Sequence, residues 1–194
     1  MKNITILFII FTTSLFSQIN NNHLNVGEIA PAIIGADQNG KRIDSKEILK
    51  NQKILLVFYR GNWCPDCRKH LKELQKNLVA LQNKGVFVVV VTPEKAEKTV
   101  ETQEKFKTEF SIVHDVDNTI MTAYKVAYKV DKSTVTSYYN FVQKSIVAYN
   151  TSNNAVLPVP ATYLIDTNGK IIYVQYDANY KVRSDIKMIL EKYL

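Results

Sequence analysis

Two cysteines separated by two residues are the only cysteines in this chain of 194 residues, and they form the segment Cys64-Pro65-Asp66-Cys67. This spacing suits redox chemistry, in which one thiolate attacks a substrate and the second thiol then attacks the bond that forms. A structural disulfide is a competing interpretation, but a cross-link over so short a loop constrains the unfolded chain very little. The spacing therefore favours a redox role.

Metal binding by the same pair is a further interpretation. The chain has three histidines, at positions 23, 70 and 114. None of them is spaced from another as in a zinc finger, and haem attachment would need a histidine at the position of Arg68. Cys64, Cys67 and His70 together form a candidate copper site, which predicts a metal-binding chaperone as the alternative function. A redox-inactive binding module with ordinary thiol pKa values is a third possibility.

The residues around the pair predict where it lies in the fold. Residues 54–59 are continuously apolar and partly β-branched, which is typical of a strand buried on both faces. Pro65 suits the first position of a helix, and leucines then recur at helical spacing until Lys84-Gly85. Cys64 is therefore predicted at a helix N-terminus, where free N–H groups and the helix dipole stabilise a thiolate. Among the nearby charges, we expect Arg60 to favour this thiolate and Asp66 to oppose it.

The remaining pattern predicts one α/β domain. Residues 86–91 read as a second buried strand, so the strand–helix–strand order implies a parallel pair with a right-handed crossover. Asn39-Gly40 and Asn168-Gly169 each predict a hairpin. The other predicted elements are a helix over 94–109, a strand at 112–113, a short helix to about 125, an amphipathic helix over 133–150 and a final helix over 182–193.

Charge and the first residues bear on partners and location. The net charge of +7 comes from 25 basic and 18 acidic residues that are interspersed, which favours a solvated surface over a nucleic-acid partner.

Lys2 and the apolar residues 4–16 predict a signal peptide over 1–17, cleaved after Ser17 or Ser14, because the apolar run is too short to span a membrane comfortably. An uncleaved anchor is the alternative. We expect a linker over 18–25, a domain over 26–194, and an exported, periplasmic or secreted protein without stable membrane insertion after cleavage.

Two separate segments carry a resemblance to a known family. They are residues 58–67, reading Phe-Tyr-Arg-Gly-Asn-Trp-Cys-Pro-Asp-Cys, and residues 157–166, followed by Asn168-Gly169 and by Tyr180-Lys181-Val182-Arg183. From about residue 26 to the end, the chain resembles the bacterial peroxiredoxin-like proteins of the alkyl hydroperoxide reductase/thiol-specific antioxidant (redoxin) family. The resemblance assigns no role to Arg183.

The resemblance implies a thioredoxin-like fold, with a central mixed β-sheet flanked by helices and a helical insertion around residues 128–156. It implies an antioxidant oxidoreductase in which Cys64 is the nucleophile and Cys67 the resolving thiol. Trp63 and Pro160 would shape the substrate-binding surface, with Pro160 as the cis-proline that faces the cysteines in this fold. The expected partners are a protein disulfide or a hydroperoxide and an external dithiol reductant, and no cofactor is needed.

Two positions depart from the patterns of related proteins. Peroxiredoxins carry a threonine three residues before the reactive cysteine, where it helps to bind peroxide, and this chain has Gly61 there. Thioredoxins bury an aspartate six residues before the first cysteine as a proton acceptor, and this chain has Phe58 there. The sequence therefore leaves open whether the substrate is a peroxide or a disulfide.

Overall fold

A computed structural model describes residues 23–130, 136–152 and 155–194, apart from the side chains of 136–138. The predicted signal peptide and most of the predicted linker lie outside these residues. Within them the strands are β1 (Ile34–Ala36), β2 (Arg42–Asp44), β3 (Lys53–Phe58), β4 (Val86–Thr92), β5 (Ser111–His114), β6 (Ala127–Lys129), β7 (Val156–Pro158), β8 (Ala161–Ile165) and β9 (Ile171–Tyr176). The helices are α1 (Ser45–Leu49), α2 (Pro65–Lys76), α3 (Leu78–Asn83), α4 (Ala96–Phe106), α5 (Thr119–Ala123), α6 (Thr136–Tyr149) and α7 (Ile186–Lys192).

A five-stranded mixed sheet in the order β5-β4-β3-β8-β9 forms the centre of the domain. The strand β3 pairs in parallel with β4 and antiparallel with β8, and β4 pairs in parallel with β5. Helices flank this sheet, so the predicted α/β architecture with a central mixed sheet is confirmed. In the described residues no helix is long and apolar enough to cross a membrane.

The central strand β3 is buried on both faces, as its continuous apolar sequence predicts. Leu55 and Val57 belong to one core cluster, which also contains Leu71 and Leu74 of α2. Alternate β3 residues point to the opposite face and join a second cluster with side chains of β4, β8 and α5. The helix that carries the second cysteine is thus packed directly on the strand that leads into the first.

The predicted helix bounds differ from those in the structure, most clearly for two helices. In addition, α4, predicted over 94–109, is a few residues shorter than predicted, and α6, predicted over 133–150, is described over Thr136–Tyr149. The helix predicted over 65–84 is interrupted at Asn77, whose side-chain amide donates a 2.7 Å hydrogen bond to the Glu73 carbonyl. Asparagine competes with the helix for backbone hydrogen bonds in this way. The final helix begins at Ile186 rather than at 182, because Asp185 caps it by accepting hydrogen bonds from the amides of Lys187 and Met188.

The prediction of a cis peptide bond before Pro160 is wrong, because the described residues contain no cis peptide bond. The trans form is the more stable one for most bonds to proline. Pro160 is buried and directly precedes β8, in which Ala161 pairs with Phe58. It therefore still lies at the end of the sheet where β3 leads into the cysteine loop.

The insertion expected around 128–156 lies between the paired strands β6 and β7 and contains α6. Val142 and Ile146 of α6 are buried in the cluster that contains both cysteines. The last residues of this helix are anchored beyond β4, since the Lys95 amide donates to the Tyr149 carbonyl at 2.8 Å. The insertion is therefore part of the core around the cysteines.

The packing of α2 on β3 predicts a stability difference between two substitutions. Leu71→Ala should lower the free energy of unfolding by about 2–5 kcal/mol, because it leaves a cavity under a fully buried side chain. Val79→Ala on α3, whose side chain is exposed, should change it by less than about 0.5 kcal/mol. Urea unfolding of both variants measures this, and equal losses would contradict the described packing.

Candidate active site

The first cysteine lies at the N-terminus of α2, as predicted. Cys64 is the N-cap residue in an extended conformation, and Pro65 occupies the first helical turn. The Cys64 carbonyl accepts a 3.1 Å hydrogen bond from the Arg68 amide, while its own amide donates to the Gly61 carbonyl at 3.1 Å. The helix therefore begins at the thiol, with its positive dipole end directed at the sulfur.

The two thiols are reduced and buried, and their pKa values are shifted in opposite directions. A hydrogen bond from the Cys67 thiol, assisted by the Cys67 backbone amide and by the charges of Arg60 and Arg183, lowers the pKa of Cys64 to about 6 against the effect of burial. Burial and then the hydrogen bond to Cys64 raise the pKa of Cys67 well above its ordinary value. Near neutral pH this arrangement holds a thiolate at Cys64 and a thiol at Cys67.

Arg183, whose role could not be predicted from the sequence, contacts the second cysteine. Its Nη2 lies 3.6 Å from the Cys67 sulfur, and its Nη1 donates to the carbonyl oxygens of Tyr180 and Val182. The motif Tyr-x-x-Arg pointed to this residue, but the contact could not be predicted from the sequence because Arg183 lies 116 positions after Cys67. Its charge lowers the pKa of both cysteines.

The two residues predicted to tune the thiolate occupy different surroundings. Arg60 is buried, and its guanidinium lies 5.0 Å from the centre of the Trp63 ring and 4.8 Å from that of Tyr180. These aromatic faces stabilise a cation close to Cys64. Asp66 is half-buried and lines a cavity of about 430 Å³ between α2 and residues 183–187. The opposing effect of Asp66 on Cys64 stays a prediction.

The copper site predicted from Cys64, Cys67 and His70 is wrong. The described residues contain no group of three histidine, cysteine, aspartate or glutamate side chains that could hold a metal ion. The His70 Nε2 atom lies 3.1 Å from Ser184 Oγ, which in turn lies 2.9 Å from Thr162 Oγ1. Burial lowers the pKa of His70 to about 4, so the ring is neutral and is committed to this buried hydroxyl chain.

Trp63 packs between the cysteine loop and the insertion. Its ring is 8% exposed and meets Phe141 of α6 edge to face, with the ring centres 5.9 Å apart. Phe141 remains half exposed, so the insertion presents an aromatic side chain to solvent beside the buried Trp63. The substrate-binding role of Trp63 and of the buried Pro160 stays a prediction.

Gly61 cannot be replaced by the threonine of peroxiredoxins without moving the tryptophan. Its φ of +147° is a conformation that residues with a side chain rarely adopt. A Cβ atom at this position would lie 2.3 Å from Trp63 Nε1 and 3.0 Å from Glu94 Oε1. The departure from the peroxiredoxin pattern is therefore required by the way this loop packs.

A buried carboxyl group, not identified from the sequence, holds the same loop. Glu94 is 0% exposed; its Oε2 accepts a 2.6 Å hydrogen bond from the Tyr59 hydroxyl, and its Oε1 accepts a 2.8 Å bond from the Asn62 amide. Burial raises the pKa of Glu94 to about 7 despite both bonds. The sequence signal for this residue is a charged side chain two positions after the largely apolar strand β4. Such a position is informative because the carboxyl ends of parallel strands meet at one edge of the sheet.

The chain is similar in sequence to known redox proteins. The sequence profile of the AhpC/TSA family matches residues 26–174. Thiol-disulfide oxidoreductase ResA of Bacillus subtilis is 25% identical over 152 residues, covering 78% of this chain and 67% of the relative. Peroxiredoxin Bcp of Escherichia coli is 26% identical over 165 residues, covering 85% of this chain and 94% of the relative.

A solved structure shows the same fold at low sequence identity. Peroxidoxin BcpB from Mycobacterium tuberculosis superimposes with a TM-score of 0.64 and 16% identity, over 79% of this chain and 86% of that one. The matched profile spans most of the chain and includes both cysteines. The family predicted from the two motifs is confirmed, and the chain belongs to the AhpC/TSA family of thioredoxin-fold oxidoreductases.

Proposed function

We propose that the protein is a thiol–disulfide oxidoreductase in which Cys64 is the nucleophile and Cys67 the resolving thiol. The observation that carries the proposal is the opposite shift of two hydrogen-bonded thiols, with the pKa of Cys64 lowered to about 6 and that of Cys67 raised. A thiol with a lowered pKa attacks at neutral pH, whereas one with a raised pKa waits until a bond to its neighbour has formed.

The reaction transfers two electrons from the cysteine pair to the substrate. The Cys64 thiolate attacks one sulfur of a protein disulfide, the substrate S–S bond breaks, and the released sulfur takes up a proton. Cys67 then loses its proton and attacks Cys64 Sγ, which releases the second substrate thiol and closes the Cys64–Cys67 disulfide. An external dithiol restores both thiols by the same exchange.

Arg183 supports the second step. Cys67 must become a thiolate in a buried position, and the guanidinium 3.6 Å from its sulfur offsets part of the cost of that charge. The hydroxyl chain from His70 through Ser184 to Thr162 ties β8 and the residue beside Arg183 to α2. The arginine is thereby held against the helix that carries Cys67.

Peroxide reduction is the second candidate, and the match to nearly the whole length of peroxiredoxin Bcp favours it. In this reaction the Cys64 thiolate attacks the terminal oxygen of a hydroperoxide and the O–O bond breaks. Cys64 becomes a sulfenic acid, and the released oxygen takes up a proton and departs as water or an alcohol. Cys67 condenses with that acid to give the same disulfide and water. Gly61 argues against this candidate, because no side-chain hydroxyl is available where peroxiredoxins have their threonine.

Export to an extracytoplasmic compartment is part of the proposal and is supported by the sequence of residues 1–17 alone. A compartment that favours disulfides would supply oxidised protein substrates. The half-exposed ring of Phe141, which packs against Trp63, suits docking of a polypeptide rather than of a small peroxide.

Stopped-flow measurements on the reduced protein separate the two candidates. We expect a model disulfide to oxidise the pair at least a hundredfold faster than it oxidises free cysteine, and hydrogen peroxide to react no more than about tenfold faster than with free cysteine. Cys64→Ser should abolish both reactions, and Cys67→Ser should accumulate a mixed disulfide detectable by mass. Fast peroxide oxidation with slow disulfide exchange would overturn disulfide exchange and establish a peroxidase.

The pH dependence of alkylation tests the role of Arg183. The rate of Cys64 alkylation by iodoacetamide should rise with a midpoint near pH 6, because the thiolate is the reactive form and its pKa is about 6. Arg183→Met removes a charge that lowers this pKa, so the midpoint should move upward. Arg183→Lys keeps the charge and should move it less, and identical midpoints in all three proteins would remove Arg183 from the account.

The tight packing at Gly61 predicts a stability effect. Gly61→Ala should lower the melting temperature and change the fluorescence of Trp63, because the added methyl group overlaps the indole ring. Gly40→Ala is the matched control, since Gly40 also has a positive φ but open space around its Cα. A loss at Gly61 no larger than that at Gly40 would show that the indole does not occupy this space.

A further inference from the structure

The loop between β3 and Cys64 is held from one side by Glu94. This residue lies two positions beyond the end of β4, and the parallel pairing of Phe58 with Val91 brings the ends of β3 and β4 together. Its two carboxyl oxygens divide their bonds between Tyr59, which directly follows β3, and Asn62, two residues before Cys64. One carboxyl group therefore spans the loop that positions the reactive thiol.

The same short segment also anchors the insertion. Glu94 forms an isolated bridge with Asn150, and the Thr151 amide donates to the Pro93 carbonyl at 3.1 Å. Phe141 of the insertion meets Trp63 of the loop at the other end of the contact. Glu94 thus lies where the loop and the insertion helix are joined.

No cation neutralises the carboxyl group directly. In the described part of the chain Glu94 makes no ion pair, and its bonding partners are a phenol and an amide. The groups that face it are Tyr59 directly after β3, Lys98 and Glu101 from α4, and the Asn62 amide from the loop. Lys98 and Glu101 pair with each other at 2.5 Å, and Lys98 also lies 5.2 Å from the Tyr149 ring of α6.

We propose that Glu94 is a positioning residue of the redox loop, and that gain or loss of its proton changes how tightly the loop and Trp63 are held beside Cys64. The ionised carboxylate accepts from both Tyr59 and Asn62. A proton on Oε2 reverses the bond to Tyr59, so that the carboxyl group donates to the phenol oxygen and only a neutral acceptor faces Asn62. Bonds to a charged acceptor are roughly twice as strong as neutral ones, so the loop is held more tightly when Glu94 is ionised.

The pKa of Glu94 places this change near neutral pH. Its pKa is raised to about 7, mainly by burial and to a smaller extent by the charge of Glu101, against the lowering effects of the bonds from Tyr59 and Asn62 and of the charge of Lys98. Burial and the neighbouring Glu94 keep Tyr59 neutral by raising its pKa well above the ordinary value. This inference rests on the proposed function only through the role of Cys64. Fluorescence and alkylation test it without a measurement of turnover.

Trp63 is a built-in reporter of this group, because it is the only tryptophan in the chain. The Trp63 Nε1 and Glu94 Oε1 atoms are close to each other, since they lie 2.3 Å and 3.0 Å from the position that a Cβ atom on Gly61 would occupy. The experiment is a fluorescence titration of the full chain from pH 5 to 9, with both cysteines replaced by serine so that no thiol titrates or quenches. We expect a transition with a midpoint near pH 7.

Three substitutions in this background assign the transition. Glu94→Gln should abolish it, because the amide copies the protonated acid and does not ionise. Tyr59→Phe should move the midpoint upward, because it removes a hydrogen bond that lowers the pKa of Glu94. Glu101→Gln, the matched control on α4, should keep the transition. A transition that survives Glu94→Gln, or that is missing from the parent, overturns the proposal.

Alkylation of Cys64 in the chain with both cysteines tests positioning. At pH 8, where the thiolate is fully formed, Glu94→Ala should slow iodoacetamide at least fivefold, and Glu94→Gln should recover part of that rate because it still bonds Asn62 and Tyr59. An unchanged rate in Glu94→Ala overturns the positioning role. If Glu94→Ala does not fold, Tyr59→Phe replaces it and must shift the midpoint of the fluorescence transition. Slow disulfide exchange with the expected Glu94 results would overturn the proposed function alone.

Discussion

The parallel pairing of β3 with β4 is the constraint on which the site depends. It brings the ends of both strands to one edge of the sheet, so the loop after β3 and the segment after β4 come into contact. The antiparallel β8 starts at the same edge, which places Pro160 there as well. Residues far apart in the chain therefore converge on the start of α2, as is common for sites in α/β sheets.

The position of the two cysteines at the start of α2 makes their pKa values differ. Cys64, the N-cap residue of the helix, lies at the positive end of the helix dipole and accepts a hydrogen bond from the Cys67 thiol one turn further along. Burial acts on both thiols, but it prevails only at Cys67, where fewer groups favour a negative charge. Two identical side chains thus acquire different acidities because one lies at the helix end and the other lies inside it.

The loop before Cys64 is held by an unusual set of buried polar and charged groups. Arg60 lies between aromatic rings, Glu94 bonds the backbone at Asn62, and Gly61 leaves room for the indole of Trp63. The charged groups of Arg60 and Glu94 are each costly to bury alone, and the aromatic rings around Arg60 and the hydrogen bonds to Glu94 offset part of that cost. Such a loop is expected to keep one conformation, which a nucleophile requires in order to meet its substrate at a defined angle.

The fold class and the family could be predicted from residue patterns alone, and the same patterns single out Cys64 and Cys67 as the candidate reactive pair. Continuous apolar runs predicted β3 and β4, and Pro65 with the leucine repeat predicted that a helix starts at Cys64, because these signals are local. The break at Asn77 and the start of α7 at Ile186 were missed, since they depend on single side-chain bonds to the backbone.

The surroundings of the cysteine pair depend on packing between distant segments. This packing directs His70 to Ser184 rather than to the cysteines, brings Arg183 to Cys67 across 116 positions, and places Glu94 against Asn62. These contacts join residues that strand pairing brings together from distant parts of the chain, and no local pattern records them. The two cysteines could be proposed as the reactive groups from the sequence because thiol chemistry depends on residue type and spacing. Their partners could not, because partners are set by packing.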